Sequence, residues 1–384
     1  MVPAYGMLVA MQIRQLNHIN EVPSASWDAL VPSGYPFLRH AFLAAMESSG
    51  SVTAEQGWIA SHLVVENADG SLQGLLPLYQ KLHSYGEYVF DFQWADAWER
   101  AGRRYYPKYL AAIPFSPVQG PRLMARCEQS RSAILTHLDS MLDRNEISSL
   151  HLLFNQGEEN TALASAGWLQ RLGCQFHWYN RDYCHFEDFL AACSSRKRKN
   201  FRKERQAVAA QGIEFEWLVA EHITEADWDR FYPFYAATYL KRGQHPYLTR
   251  DFFSLLTEGM ADAMRLVFAR LDGRDVAGAL FLAGDDTLYG RYWGCLDEFD
   301  RLHFETCFYQ GMDRCIAEGF SRFDAGAQGE HKLIRGFEPV LTQSWHKLQP
   351  GLHEAVEDFL RRERAGMLEY QSDARSYLPF RQAE

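Results

Sequence analysis

The nine residues Gln328–Gly336 read QGEHKLIRG, placing Glu330, His331, Lys332 and Arg335 between Gly329 and Gly336. A carboxylate, an imidazole and an amine can each take a proton from a nucleophile, and a neighbouring cation can hold the oxyanion that forms when it attacks. The stretch follows the apolar segment SRFDAG, so a loop after a strand is expected, where functional groups concentrate. Ordinary charges on a surface loop would look the same. His303 and Glu305, in LHFETC, open a predicted helix and form a second candidate acid–base pair. A Glu there also complements the positive end of the helix dipole.

The other concentration of charge is SSRKRKNFRKER (Ser194–Arg205). It carries Arg196, Lys197, Arg198, Lys199, Arg202, Lys203 and Arg205 against the single acid Glu204. With Ser194 or Ser195 as N-cap, four consecutive cations fall in the first helical turn, each costing about 0.3–1 kcal/mol against the dipole. A solvated face neutralised by the upstream Glu187 and Asp188 is one explanation. An anionic partner is the other, since helix N-termini bind phosphate through free N–H groups and Arg binds it bidentately. We read Arg196, Lys197, Arg198, Lys199, Arg202, Lys203 and Arg335 as donor- or anion-binding residues. A CoA pyrophosphate, a tRNA backbone or a nucleotide-linked precursor would suit them.

The elements that position these groups must come from a chain of 384 residues. That exceeds the size at which one core keeps growing, so two domains are expected. A hydrophobic share of 47% with 23% charged residues is that of a globular protein. A net charge of −10 argues against a general nucleic-acid coat. The seven cysteines are scattered without a C-x-x-C, which fits neither a disulfide framework nor a zinc site and points to a reducing cytoplasm. No metal site is expected. The start MVPAYGMLVAMQIR lacks the cationic region of a signal peptide, and no apolar run is long enough to span a bilayer.

The chain contains a near-repeat of itself. YGEYVFD (Tyr85–Asp91) is echoed by YGRYWGC (Tyr289–Cys295). HLVVENADG and RLVFARLDG each read as a strand running into an Asp-Gly hairpin turn. Trp27 matches Trp228, Tyr35 matches His245 and Gly74 matches Gly278, with offsets of 201, 210 and 204 in unbroken order. The sequence therefore predicts a tandem duplication. Each copy has an edge strand (MQIRQL, IEFEWLV), two helices, a hairpin and the Y-G-x-Y strand. In the C-terminal copy a helix stopped by Gly319 follows, then strands SRFDAG and VLTQSWHKL.

An insertion after the first Y-G-x-Y strand is expected to lengthen the N-terminal copy. Beyond it come helix SRSAILTHLDSMLD, strand SLHLLFN, helix TALASAGWLQRLG and strand CQFHWYN. The predicted domains are 11–186 and 187–384, the second with a basic opening helix at 194–210 and a C-terminal helix. The order is that of an α+β fold, a mixed sheet flanked by helices in each copy.

The blocks His83–Leu123, Ser194–Ile213, Leu288–Met312 and Arg322–Val340 resemble the peptidoglycan biosynthesis/recognition, or Fem-like, family of predicted N-acyltransferases. The resemblance implies a GNAT-like (acyl-CoA N-acyltransferase) fold used twice. It also implies an amide-forming acyl- or aminoacyltransferase, with aminoacyl-tRNA or acyl-CoA as co-substrate, no tightly bound cofactor, and a small-molecule amine or cell-wall precursor as acceptor. Acetyl-CoA-using GNAT domains carry Q/R-x-x-G-x-G/A before the central helix. Here that region reads GCLDEFDRLHFETC, which suits an aminoacyl-tRNA donor better.

Catalytic roles are expected for Glu330, His331, Lys332, Glu305 and His303. Acceptor binding is expected for Tyr85, Asp91, Trp94, Asp96, Tyr289, Arg291 and Trp293. A non-catalytic module for an anionic or peptidoglycan-type ligand is the alternative, and an RNA-binding protein using the basic helix with Phe201 is a third.

Overall fold

A computed structural model describes residues 11–144, 147–327 and 329–381. The start of the chain, residues 1–10, on which the signal-peptide reading mostly falls, lies outside the described residues. The strands of the first copy are β1 (Gln12–Leu16), β2 (Trp58–Ala60), β3 (His62–Glu66), β4 (Leu72–Leu76), β5 (Tyr79–Lys81), β6 (Lys108–Ala111), β7 (Met124–Ala125), β8 (Ser149–Asn155) and β9 (Leu169–Tyr179). Those of the second are β10 (Glu214–Val219), β11 (Met264–Leu271), β12 (Arg274–Ala283), β13 (Thr287–Cys295), β14 (Arg322–Asp324) and β15 (Glu338–Leu348).

The turn between β11 and β12 is Asp272-Gly273, both at positive φ (50° and 75°), and Leu271 pairs directly with Arg274. That is the two-residue hairpin the sequence predicts.

The larger sheet runs β10-β11-β12-β13-β14-β9-β15-β8-β6-β5-β2. From the central β9·β15 pair outward, the first four pairings on each side go antiparallel, parallel, antiparallel, antiparallel, and the second copy's side adds β10, again antiparallel. The duplication is therefore built into the hydrogen bonding. The last strand of each copy is exchanged: β9 pairs with β14 of the second copy and β15 with β8 of the first. β3 and β4 with β1 continue the first copy as a separate four-stranded sheet, closed by β7.

Two corrections follow. Tyr85 is not the counterpart of Tyr289. Tyr289 lies on β13, whose partner in the palindrome is β6, whereas Tyr85 sits in a turn and is 61% exposed. The insertion begins directly after β5, where the second copy has only the short connection from Ala283 to Thr287. Eleven residues from Gly74 therefore end in inserted loop, and eleven from Gly278 end in a strand. The second correction concerns TALASAGWLQRLG. Its helix stops at Ser165, and Leu169 onward is extended because β9 pairs residue by residue with β15 from Leu169 to His177. An eleven-residue strand bonded along its length outweighs local helix propensity.

Helices cover the sheet. In the first copy they are α1 (Ser24–Asp28), α2 (His40–Ser48), α3 (Phe92–Arg100), α4 (Glu128–Asp143) and α5 (Glu159–Ser165). Next come α6 (Phe186–Ala192), α7 (Ser195–Ala209), α8 (Glu225–Leu240), α9 (Arg250–Met260), α10 (Leu302–Phe304), α11 (Gln310–Glu318) and α12 (His353–Arg375). Trp27 and Trp228, the matched pair of the sequence, are both fully buried. Each indole N–H ties its helix to the next segment, at Leu38 O and Thr257 Oγ1, both 2.9 Å. α2 and α9 then meet across the seam, with Phe42 edge-on to Phe252. One hydrophobic core runs through both copies there.

Candidate functional site

β13 and β14 are parallel partners only over Thr287–Tyr289 and Arg322–Asp324. Beyond these residues they part. Leu280 pairs with Tyr292 and Phe281 with Gly290, so Arg291 is the extra residue of a β-bulge, a device that re-aims side chains beside functional sites. The parting strands open a cleft of about 470 Å³, within the range of small-molecule sites. Its walls include Phe281, Tyr292, Trp293 and Phe308 of the second copy, with Tyr88, Phe115 and Pro117 of the first.

At the base of the cleft lies a buried ion pair. Arg291 Nη2 is 2.6 Å from Asp324 Oδ2, and both side chains are 3% exposed. Gly326 N–H donates to Asp324 Oδ1 at 2.9 Å. Burial would raise the Asp324 pKa, but the Arg291 guanidinium, His177 and these hydrogen bonds hold it well below the carboxylate range. His177 reaches this site from β9, the exchanged strand of the first copy, 3.9 Å from Asp324. Its ring nitrogens are buried without hydrogen-bond partners, and burial lowers its pKa to about 4.

Lys332 completes the group. It lies in a 3-10 turn (Glu330–Arg335), is 2% exposed and donates to Gly326 O. Burial, opposed by Asp324 and assisted by Arg291, lowers its pKa to about 8. His303 lines the same cleft, its pKa pushed down to about 4 by burial and then by His331, Lys332 and Arg335. The His331 ring, 6.1 Å from that of His303, is also shifted down, chiefly by burial. Between α10 and α11 the helix widens into a π turn, Glu305–Tyr309, a distortion frequent at functional sites.

The cleft thus brings together His303, His331, Lys332, Arg291 and Trp293 of the predicted residues. Others stand apart. Glu305 faces the opposite side of its helix, accepting from Arg205 and Gln310 at 3.0 Å each. Glu330 accepts from Tyr370 Oη at 2.8 Å, outside the cleft lining. Tyr289 is buried against Phe37 and Tyr35. Arg335 is 4% exposed, paired with Glu204 and laid over the Phe304 ring. That pairing takes it out of the expected anion-binding set.

On α7, Arg202 meets Glu187 at 2.6 Å, and Arg205 meets Asp313 and Glu305. Among the described residues, Arg196, Lys197, Arg198, Lys199 and Lys203 make no ion pair. Ser194 stands at the N-cap position without a side-chain capping bond. Phe201 and Val208 fasten the helix to the core, and Phe201 is therefore not an exposed stacking surface.

The remaining expected acceptor residues lie in the first copy. Tyr85 is exposed, and Asp96 lies on the outer face of α3. Trp94 is buried beside His346 and His151. Asp91 is buried and bonded to Lys108 Nζ (2.5 Å), Tyr105 Oη (2.6 Å) and Ser84 Oγ (2.5 Å). Lys108 also bonds Glu87 at 2.7 Å. Burial pushes Glu87 up to about 7 against the opposing pull of Lys108, and burial lowers the neighbouring Lys81 to about 7. This buried network fastens the inserted loop to β5 and β6.

The cleft corresponding to that of the second copy is filled. β6 and β8 pair up to Ala111 and Leu152, then Gly120 bridges Asn155. The intervening segment packs Ala112, Ile113, Phe115 and Val118 inside.

Sequence reasoning missed Asp324, His177 and the contribution of the first copy's Tyr88 and Phe115. Asp324 had a signal, an acid ending an apolar strand just before Gly326. His177 had none, because only strand exchange brings it to the site. Among the described residues, no helix is long and apolar enough to cross a membrane. Nor are three or more His, Cys, Asp or Glu residues of the described chain grouped to hold a metal ion.

Solved structures share this fold. A crystal structure of FemX superposes with a TM-score of 0.54 at 12% identity, covering 88% of this chain and 98% of FemX. The C-terminal domain (DUF2156) of a candidate lysylphosphatidylglycerol synthetase from Agrobacterium fabrum gives 0.52 at 9% identity, over 88% of this chain and 95% of that one. A protein of unknown function from Bacteroides thetaiotaomicron VPI-5482 gives 0.50 at 11% identity, over 88% and 100%. At these identities the likeness speaks for the fold, two GNAT-like copies in tandem. No curated protein matches the sequence. Residues 18–382, however, match the FemAB-like family, described as peptidoglycan biosynthesis/recognition, and the chain belongs to that family.

Proposed function

We propose that the chain is an amide-forming acyl- or aminoacyltransferase whose working site is the cleft between β13 and β14. The observation that carries this reading is the meeting, in one cleft, of a buried amine, Lys332, and two imidazoles, beside the strand edge left open where β13 parts from β14. An acceptor amine attacks the acyl carbonyl of the donor, forming the new C–N bond. The attacking nitrogen must lose a proton, and the tetrahedral intermediate then expels the donor's oxygen or sulfur, which leaves with a proton.

Lys332 is the best-matched proton acceptor. General-base catalysis is most efficient when the pKa lies near the working pH, and a pKa of about 8 meets that condition far better than the value of about 4 at His303. The open edge of β13 can pair with an extended acyl chain as an added strand would.

Of the two donor classes, aminoacyl-tRNA fits better. The loop before α10 presents Asp297, Glu298 and Asp300 where a pyrophosphate would otherwise dock. The unpaired cations of α7 offer a surface for a polyanionic donor in the cytoplasm. The acceptor is an amine of a cell-wall precursor or another small metabolite. The acidic loop also favours a second reading, a recognition module without turnover.

The test is a mass-spectrometric assay of the full chain with aminoacyl-tRNA or acyl-CoA donors and a panel of amine acceptors. A new amide dependent on Lys332 supports the transferase. Absence of product from either donor class, with ligand affinity altered in Lys332→Met, supports the recognition module instead.

A further inference from the structure

The cleft's chemistry is uneven in a way that bears on what it holds. Its inner walls are aromatic, from Phe115, Phe281, Tyr292, Trp293 and Phe308. Its charged lining is one-sided: among the described residues, Arg242, Arg291 and Lys332 line it and no carboxylate does. The nearest acid, Asp324, is already engaged by Arg291 and by the Gly326 N–H.

A cationic side chain entering this cleft would lose water, meet like charges and find no counter-ion, a combination that disfavours burial strongly. Cation–π attraction to the rings is too small to offset that. An anionic side chain fares little better in the interior. Arg291 is committed to Asp324, Arg242 lies exposed at the mouth, and the Lys332 amine, already donating to Gly326 O, would be held charged by an anion and so lost as a proton acceptor. A small group such as glycyl would leave the aromatic walls uncovered and facing water.

The rim facing this chamber belongs to the first copy. Phe115 stacks on Tyr247 with ring centroids 4.7 Å apart and planes 8° from parallel. It is part of the segment that fills the first copy's own cleft, so its position is set by packing on both sides. Tyr88, on the inserted loop, has φ 64° and is held by the buried Lys108–Asp91–Glu87 network close by in sequence. The wall is therefore rigid enough to select by size.

We propose that the group transferred through this cleft carries a bulky, uncharged, apolar side chain, an acyl or aminoacyl group of leucyl to phenylalanyl size, with Phe115 and Tyr88 of the first copy setting the size limit. This rests on the transferase reading and adds the class of group transferred. Truncating Phe115 lengthens the chamber and favours still larger groups.

The experiment is a competition among donors charged with leucine, phenylalanine, tryptophan, glycine, lysine and glutamate, using the full chain. It is paired with binding of phenylalaninamide, leucinamide, glycinamide and lysinamide, which needs no turnover. The expected result is a preference for leucyl and phenylalanyl donors of about tenfold or more in kcat/KM over glycyl, lysyl and glutamyl, the scale of apolar pocket discrimination. The apolar amides should show the same order in affinity. Phe115→Ala should raise relative use of tryptophanyl donor, and Tyr88→Leu, at a half-buried position, serves if Phe115→Ala does not fold. Preferred transfer of glycyl, lysyl or glutamyl groups overturns the inference and leaves the transferase reading standing. No transfer from any donor, with apolar amides still bound tenfold more tightly, counts against the transferase reading alone. Amide binding without apolar preference overturns the inference directly.

Discussion

The two copies answer the same topological opportunity differently. In each, two parallel strands next to the exchanged strand can part and leave a cleft. In the second copy, β13 and β14 part and stay apart, and the space is lined by Lys332, His303 and His331. In the first copy, β6 and β8 are drawn together again at Gly120 and Asn155, and the loop between fills the space with Ile113, Phe115 and Val118. The filling is not wasted, because Phe115 and Pro117 form a wall of the open cleft.

The buried charges differ in kind as well. Around Asp91, hydrogen bonds from Lys108, Tyr105 and Ser84 occupy both carboxylate oxygens, although Glu87 Oε1 beside them has no hydrogen-bond partner. Around Asp324, His177 keeps two unpaired ring nitrogens and Lys332 faces the cleft. The first network lies away from the cleft and suits support, and the second borders it and suits chemistry.

The comparison can be broken at several points. Filling the open cleft should have the largest effect: Ala325→Phe is expected to abolish transfer with a near-native melting temperature, measured by product formation and calorimetry. If transfer persists, the reaction takes place elsewhere. Next, Lys332→Met should lower kcat by about 10²–10⁴-fold, the range for a general base, with KM little changed in steady-state assays. Asp91→Asn should act on stability, by less than the about 3–5 kcal/mol of a fully uncompensated buried charge, because Glu87 still meets Lys108. Denaturant titration reads that loss, and the rate per folded molecule should be retained. The smallest effect is expected at α7. Arg196→Glu with Lys199→Glu should raise KM for a tRNA donor severalfold and reduce the salt dependence of its binding, leaving kcat unchanged.

Much of the scaffold was legible in the sequence. The Asp-Gly turns, the twin tryptophans and the Gly319 stop are local signals, and each appears where expected. The Y-G-x-Y pair misled because an insertion had displaced Tyr85 from the strand while preserving its distance from Gly74. The helix read through Leu169–Gly173 failed because the strand there owes its existence to β15, more than 160 residues away.

At the site, Lys332, His303 and Arg291 could be named from residue type and context. His177 could not, since its place beside Asp324 depends on strand exchange. The basic segment stood out on composition alone, but the role of Arg335 depends on a pairing with Glu204 across more than a hundred residues.

The most direct test is the pH dependence of transfer in the wild type and Lys332→Met. A base must be neutral to accept a proton, so with Lys332 lowered to about 8 the wild-type rate should rise as pH increases through 8 and level above it. That limb should be absent in the variant. A wild-type rate that falls as pH passes 8 would mean that the charged amine is what matters, and identical profiles in the two proteins would remove Lys332 from the reaction altogether.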